Sequence, residues 1–400
     1  MGYFINVEKE SLIILLCFVV ALAITSIVYP VVLRFALQHR VMDKPAKRKL
    51  QHCPVPVMGG VAIAMGMLIP FVINALCFRW QVSLWWIMPV VAMLCIGLWD
   101  DMRNLSAAFR FCMEVLIVGV YVGTTGVMID SLHGLWDVQT LSPGISIPLS
   151  VIAGVGIINS INMIDGVDGY SSGFCIVACA LFAALFGAVG DYALCGFMCV
   201  GVGALVPFFL HNVFGKTSKM YIGDGGTLMF GTIMSGMVFV VLQHDSPAIC
   251  LEERGMSLVA FCLAVLCVPV FDTVRVMCAR IAHGVSPFQP DKTHLHHLFL
   301  DLGFSHIGTT LTLIITNLLI VLLWWICYLL GASMAVQLYV VIALGILTTF
   351  VWYAVVRHAI AHDTALYRCL ARMGKRTQWN NSRAWTQMQR CIDRNKQCTI

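Results

Sequence analysis

Charge is what this sequence has least of. Asp, Glu, Lys and Arg make up 11% of its 400 residues, less than half the roughly 25% of an ordinary globular domain. A chain so poor in charge cannot cover a water-facing surface, which excludes a soluble enzyme and leaves nucleic acid out of the expected partners. Cysteine is plentiful at 17, yet no Cys-x-x-Cys pair occurs and most thiols sit inside apolar runs. That excludes a disulfide framework and leaves small buried hydrophobes. No His-Glu-x-x-His is present, which removes the commonest helical zinc signature. A basic leader is missing too. Glu8, Lys9 and Glu10 precede the first apolar run, which continues past Ala21-Leu22-Ala23 to Arg34, so a retained first span is expected rather than a cleaved signal.

What is abundant is apolar length. Hydrophobic residues reach 60% and the mean hydropathy is +0.87, so the chain is an integral membrane protein. Unbroken apolar runs of about 18 residues or more select helices over barrel strands, because each helix satisfies its own backbone in lipid. Eleven candidate spans follow: 11–33, 57–78, 83–99, 107–129, 145–163, 170–189, 193–211, 222–242, 256–279, 308–330 and 334–356. The expected fold is all-α and polytopic, with a transmembrane catalytic domain over 1–357 and a basic tail over 358–400.

Alternation assigns each loop to a side, and positive charge tests the assignment. Of the 25 Lys and Arg residues, 22 fall on one side, leaving only Lys9, Arg79 and Arg254 for the other. An error in the span count would scramble that partition. The basic side is expected to be cytoplasmic, with the N-terminus outside and the C-terminus inside. Five polar clusters share it: 43–60, 100–104, 159–169, 211–226 and 291–297.

Each cluster has a chemistry and a plainer alternative. Asp100 and Asp101 end a span, where a nearby cation relieves their repulsion; a solvated helix end is the plain reading. Arg110 enters the next span and offers phosphate a charge at the membrane boundary. In "NSINMIDGVDG", a spacing of three turns successive side chains by only about 60° on a helix, so Asn159, Asn162 and Asp165 drift round one face. Gly166 and Gly169 then let the backbone turn Asp168 toward the same place. A polar cap is the alternative, but carboxylates near hydrocarbon cost a few kcal/mol and are seldom kept without a role. "YIGDGGT" sets Asp224 among glycines at a helix entrance, which suits close approach of phosphate or metal, although Gly-Asp-Gly is also a common turn. Hard oxygens from Asp224 with Asn162 or Asp165 suit Mg²⁺. His294, His296 and His297 point to diphosphate binding, to zinc or to nothing beyond a surface run. Together these clusters indicate phosphoryl chemistry on a substrate that is half lipid.

The same residues resemble a known family. "DD" at 100–101, "NSINMIDGVDG" at 159–169, "IGDGGT" at 222–227 and "HLHH" at 294–297 are similar in order to the polyprenyl-phosphate N-acetylhexosamine-1-phosphate transferases. The likeness is greatest to the bacterial undecaprenyl-phosphate, UDP-N-acetylglucosamine branch. It implies transfer of a sugar 1-phosphate from a UDP-N-acetylhexosamine to undecaprenyl phosphate, with release of UMP, at the bacterial inner membrane. It further implies Mg²⁺, with Mn²⁺ as a substitute, on Asp224 and Asn162. Asp100 and Asp101 are implied as the catalytic pair. Lys49, His52, Arg110, Asn159, Asp165, Asp168, Asn212, Lys219, His294, His296 and His297 are implied to bind substrate, and a homodimer is what the family suggests.

His-Leu-His-His, rather than three consecutive histidines, favours this branch over muramoyl-pentapeptide donors. "GKTSKM" departs from the family's usual loop, and the tail from Arg357 carries no family motif; membrane-surface binding and a plain solvated tail are both open for it. An ion-coupled transporter is the rival from another class, but transporters keep ionisable groups near the bilayer midplane, whereas here only Glu114 comes close.

Overall fold

The computed structural model describes residues 2–43, 54–77, 87–287 and 291–393. The opening hydrophobic run is one long helix, α1 (Gly2–Gln38). Two short strands follow, β1 (Met42–Asp43) and β2 (Val55–Pro56), antiparallel with Met42 opposite Pro56. Lys49 and His52 fall between them, outside the described residues. The rest of the membrane region comprises α2 (Gly59–Cys77), α3 (Ile87–Arg103), α4 (Ala107–Thr125), α5 (Pro143–Met163), α6 (Tyr170–Val189), α7 (Tyr192–Phe214) and α8 (Gly223–Val241), then short α9 (Ile249–Glu252). After these come α10 (Leu258–Val265), α11 (Cys267–Ala282), α12 (Leu295–Asp301), α13 (His306–Leu329), α14 (Met334–Ile346) and α15 (Trp352–Ala361).

Local sequence accounts for many of the ends. Ser106 caps α4 by accepting from the Phe109 amide, and Gly126 closes it in the left-handed conformation. Asp191, Ser257 and Ser305 cap α7, α10 and α13 in the same way, each satisfying an amide that a helix start leaves open.

Among the described residues, eight helical units are long and apolar enough to cross a bilayer: α1, α4, α5, α6, α7, α8, α13 and the joined α14–α15. The pair α10–α11, bent by 74°, makes a ninth. Helices α2 and α3 coincide with the two remaining expected runs but fall short of a full span by this measure.

α8 is the axis of the molecule. All but one of its residues are buried, and it packs against α2, α3 and α5. Glycines set how closely the helices approach: a Cβ on Gly97 of α3 would lie 2.4 Å from the Asp224 carbonyl oxygen, and one on Gly60 of α2 would lie 2.4 Å from the Gly226 nitrogen. The chain before α8 is bonded to the chain before α2. Tyr221 N donates to Pro56 O at 2.8 Å, and the Gly59 and Gly60 amides donate to Tyr221 O and Ile222 O at 2.9 Å each. The first turn of α8 is thereby held at the ends of α2 and α3.

The two ends of the bundle differ. At one, loops close on each other through His133–Glu252 at 2.6 Å, His244–Asp130 at 2.7 Å and the Trp136 Nε1–Tyr339 Oη bond at 2.8 Å. At the other, the tail folds back as α16 (Ala365–Arg376) and α17 (Arg383–Asp393). The Ser305 amide donates to Thr377 Oγ1 at 2.9 Å, and α17 packs on α7. Up to Asp393 the tail is helical and attached to the bundle at these points, with most of its surface exposed.

Candidate active site

One cavity of about 1680 Å³ opens at the end where the tail folds back. Residues from all six segments that alternation places on the basic side line it, among them His39, Asp100, Asp165, Lys219, His297 and Trp385. It exceeds the roughly 300–1,000 Å³ of an ordinary small-molecule pocket, leaving room for two substrates.

Asp100, Asp101 and Asp224 line one part of it. Asp101 accepts from the Asp224 amide at 2.9 Å and the Gly225 amide at 3.1 Å, so it caps the first turn of α8. Gly223 admits this cap: its φ is +74°, and a Cβ there would lie 2.5 Å from Asp101 Oδ2. Asp100 is engaged through both oxygens, by the Leu105 amide at 2.7 Å and Arg110 Nη1 at 2.9 Å. Arg110 also lies 3.6 Å from Glu114 and 3.7 Å from Asp224. Asn162 Nδ2 donates to Asp224 Oδ1 at 2.5 Å and to Thr227 Oγ1 at 2.8 Å.

Arg110, Glu114, Asn159 and Asn162 are not part of the cavity lining, and Asn159 faces Glu114 rather than Asp224. It is 4% exposed and donates to Glu114 Oε2 at 2.5 Å and Val155 O at 2.9 Å. The expected role in substrate binding is corrected to one of orienting Glu114. Sequence reasoning noted Glu114 only as a stray charge in a span. Its place four residues after Arg110 was the signal, since that spacing puts two helical side chains together.

Three carboxylates, Asp100, Glu114 and Asp224, lie within 4 Å of the Arg110 guanidinium, and Asp101 is bonded to the Asp224 amide beside them. Among the described residues no three Asp, Glu, His or Cys side chains are grouped so as to hold an ion by themselves. An oxygen-only donor set with surplus negative charge fits a hard divalent cation that takes few protein ligands and completes its shell with water and phosphate.

Another part is more basic. Asp168 receives Lys219 Nζ at 2.6 Å and lies 3.0 Å from His306 Nδ1. Burial alone would push its carboxyl up, but His306 and Lys219 outweigh burial and hold it below the usual carboxylate range. Asp165 accepts from Ser171 Oγ at 2.5 Å. Its outer surface opens on the cavity, while the protein crowding its other sides pushes its carboxyl up, partly opposed by the Ser171 bond. Asn212 ties two loops, accepting from the Gly169 amide at 2.7 Å and donating to Met220 O at 3.0 Å. His306 carried no signal in the sequence, because only the packing of α13 on α6 brings it to Asp168.

The histidines divide. His294 is buried and paired with Asp272 at 2.9 Å; Asp272 also holds Arg275 at 2.6 Å, and that guanidinium stacks 3.7 Å over Tyr353. His296, 2% exposed, lies beneath Gly166, where a Cβ would come within 2.2 Å of its Nε2. Neither reaches the cavity, which corrects the expectation that all three bind substrate. Only His297 lines it. Burial, with His294 and Lys292 beside it, lowers His297 to about 4, so its ring is neutral at physiological pH.

Residues 83–242 match the model of glycosyl transferase family 4. A probable undecaprenyl-phosphate N-acetylglucosaminyl 1-phosphate transferase of Bacillus subtilis (strain 168) is 26% identical over 300 residues, covering 75% of this chain and 80% of that protein. Undecaprenyl-phosphate alpha-N-acetylglucosaminyl 1-phosphate transferases of Yersinia pestis and Escherichia coli (strain K12) are 25% and 26% identical, over 68% and 66% of this chain and 73% and 70% of theirs. The chain is therefore similar to glycosyl transferase family 4 over its central segment. The family segment contains Asp100, Asp101, Arg110, Asn162, Asp165, Asp168, Asn212, Lys219 and Asp224. The histidine run and the folded-back tail lie beyond it.

Proposed function

We propose that this membrane transferase moves N-acetylglucosamine 1-phosphate from UDP-N-acetylglucosamine to undecaprenyl phosphate at the cytoplasmic face of a bacterial inner membrane, releasing UMP. The observation that carries this reading is the two-part cavity. Asp100, Asp101 and Asp224 line one part of it, with Arg110 bonded to Asp100 behind the lining, and the Lys219–Asp168–His306 cluster lines another. The names of the relatives support the acceptor and the sugar. Eleven crossings, with the N-terminus outside, are supported by the lining of one cavity by all six basic-side segments.

The reaction is read as a single displacement. An oxygen of the lipid phosphate forms a bond to the sugar-side phosphorus, the bond from that phosphorus to the bridging oxygen breaks, and UMP departs with that oxygen. The attacking phosphate is already anionic at neutral pH, so positioning outweighs proton removal. Asp100 agrees with this: both its oxygens are occupied, by Leu105 and Arg110, which suits a group that orients Arg110 rather than one that attacks. Arg110 gives the reacting phosphates a fixed cation. Asp101 holds the α8 entrance in place.

Asp224, with the amide oxygen of Asn162, would hold Mg²⁺. When bound, the ion neutralises charge on the diphosphate. Lys219 and Asp168 suit the nucleotide end of the donor, and neutral His297 offers a lone pair and one N–H at the wall.

The test is substrate-dependent UMP release by the purified protein in nanodiscs. Release lost with EDTA and in Asp224→Ala is the expected result. Counterflow of a solute without UMP would overturn the reading. Incubation with donor alone tests the displacement, because a phosphosugar adduct on Asp100 would sink it.

A further inference from the structure

The tail carries no motif of the family, yet it reaches the cavity. Asn380, Trp385 and Gln389 form part of its lining, on the same side as Lys216, Lys219 and Asn212. Helix α17 is held there by its last described residue. Asp393 Oδ2 accepts from the Lys216 amide at 3.1 Å and the Thr217 amide at 3.4 Å; Oδ1 accepts from the Ser218 amide at 3.2 Å and Ser218 Oγ at 2.7 Å. Four donors from three consecutive residues thus converge on one carboxylate, a nest-like arrangement that orders a loop. A second attachment is aromatic, with the Trp385 and Phe214 rings 4.7 Å apart.

The loop so gripped, 215–220, matters to the site because it carries Lys219, whose ammonium reaches Asp168 at 2.6 Å. A glycine opens it, and it is also tied by the Asn212–Met220 and His211–Ser218 bonds and by the Tyr29 hydroxyl, which donates to Ser218 O at 2.7 Å. Without Asp393, the Lys216, Thr217 and Ser218 amides lose their carboxylate partner.

We infer that α17 is the outer wall of the donor site: Asp393 positions Lys219 through the 215–220 loop, and Trp385 with Gln389 meets the nucleoside of a sugar nucleotide. The chemistry of the wall selects that class. An indole face stacks on a base, a side-chain amide pairs with its edge, and the two neighbouring lysines suit a diphosphate rather than a polyprenyl chain. The lipid phosphate belongs at the opposite end, by Arg110 and the membrane boundary. This inference rests on the donor reading above.

The experiment uses the full-length protein in nanodiscs, with UDP-N-acetylglucosamine and undecaprenyl phosphate varied separately. Trp385→Ala and Asp393→Ala are each expected to raise the donor KM about tenfold, with kcat within about twofold and the acceptor KM unchanged. Asp393→Asn keeps an acceptor oxygen and is expected to recover much of the loss. Asp393→Ala combined with Lys219→Ala should be less than additive, since both act through one ammonium. Hydrogen exchange of the 215–220 amides, faster in Asp393→Ala, reads the grip without turnover.

An unchanged donor KM in both variants, or an equal rise in the acceptor KM, overturns the inference while UMP release by the parent protein leaves the reaction standing. A parent protein that releases no UMP overturns the reaction instead. In that case unchanged exchange in Asp393→Ala still overturns the grip.

Discussion

Asn162 and Asp224 stand 62 residues apart in the chain and meet at 2.5 Å, amide nitrogen to carboxylate oxygen. The bond joins the end of α5 to the first turn of α8, and Thr227 takes the second amide hydrogen at 2.8 Å. The Asn162 amide is thus oriented by its nitrogen. Substituting Asp224→Asn removes the carboxylate at the centre of the acidic cluster, and turnover is expected to fall by about a thousandfold, the upper range for one electrostatic group in an active site. Asn162→Ala should cost less turnover but shift the Mg²⁺ dependence of UMP release to higher concentration. A metal titration on the two variants checks both.

Glu114 is wholly buried and faces Arg110 and Asn159. Its worth lies in aiming Arg110, so Glu114→Gln keeps the Asn159 bond and loses the ion pair. A fall in kcat of about tenfold to a hundredfold is expected, the size of effect that a misplacement of about 1 Å produces. Combined with Arg110→Lys it should add little, because both changes disturb one guanidinium. Additive losses in UMP-release assays would place Glu114 outside that role.

Gly97 touches the α8 backbone where Asp224 begins its turn. Gly97→Ala forces a methyl to within 2.4 Å of the Asp224 carbonyl, and overpacking of this kind costs about 1 to 3 kcal/mol or more. Gly119→Ala is the contrast, since nothing lies within 4 Å of its Cβ. Thermal unfolding in nanodiscs should show a clear loss for the first and none for the second. Activity of Gly97→Ala should fall beyond what its stability explains, because the cluster itself is displaced.

His297 gives the structure an acid sensitivity. Its ring is held at about 4 in the folded protein against 6.5 for a free histidine, so the unfolded chain binds more protons between those values. Stability contributed by the neutral ring is present above pH 6.5 and is lost as pH falls toward 4. Asp168 and Asp393, held below their usual range, lose their contributions only at still lower pH. Asp165, whose carboxyl burial pushes up, contributes with the opposite sign over this range, so the comparison is the readout: from pH 7 to 4.5 the melting temperature of His297→Gln should rise relative to that of the parent protein.

Much of the site was legible because its carriers are local. "DD", "NSINMIDGVDG" and "IGDGGT" are short segments whose polarity contrasts with their surroundings, and the charge partition placed them at one end. The roles within the segments were less legible. Asp100 and Asp101 are neighbours in sequence, but one pairs with Arg110 and the other caps α8, because adjacent helical positions point about 100° apart. His294, His296 and His297 look alike in the sequence, and only packing against Asp272 and Gly166 separates the two buried rings from the one at the cavity wall.

Sequence alone determined that the chain is helical, membrane-embedded and polar at one set of helix ends, since these follow from hydropathy, run length and the placing of charge. The tertiary structure decided which polar groups meet: Asn162 with Asp224, Asn159 with Glu114, His306 with Asp168 and Asp393 with the 215–218 amides. Such meetings depend on the rotation of each helix about its axis and on how closely glycines let helices approach, and both are settled by neighbours far away in the chain.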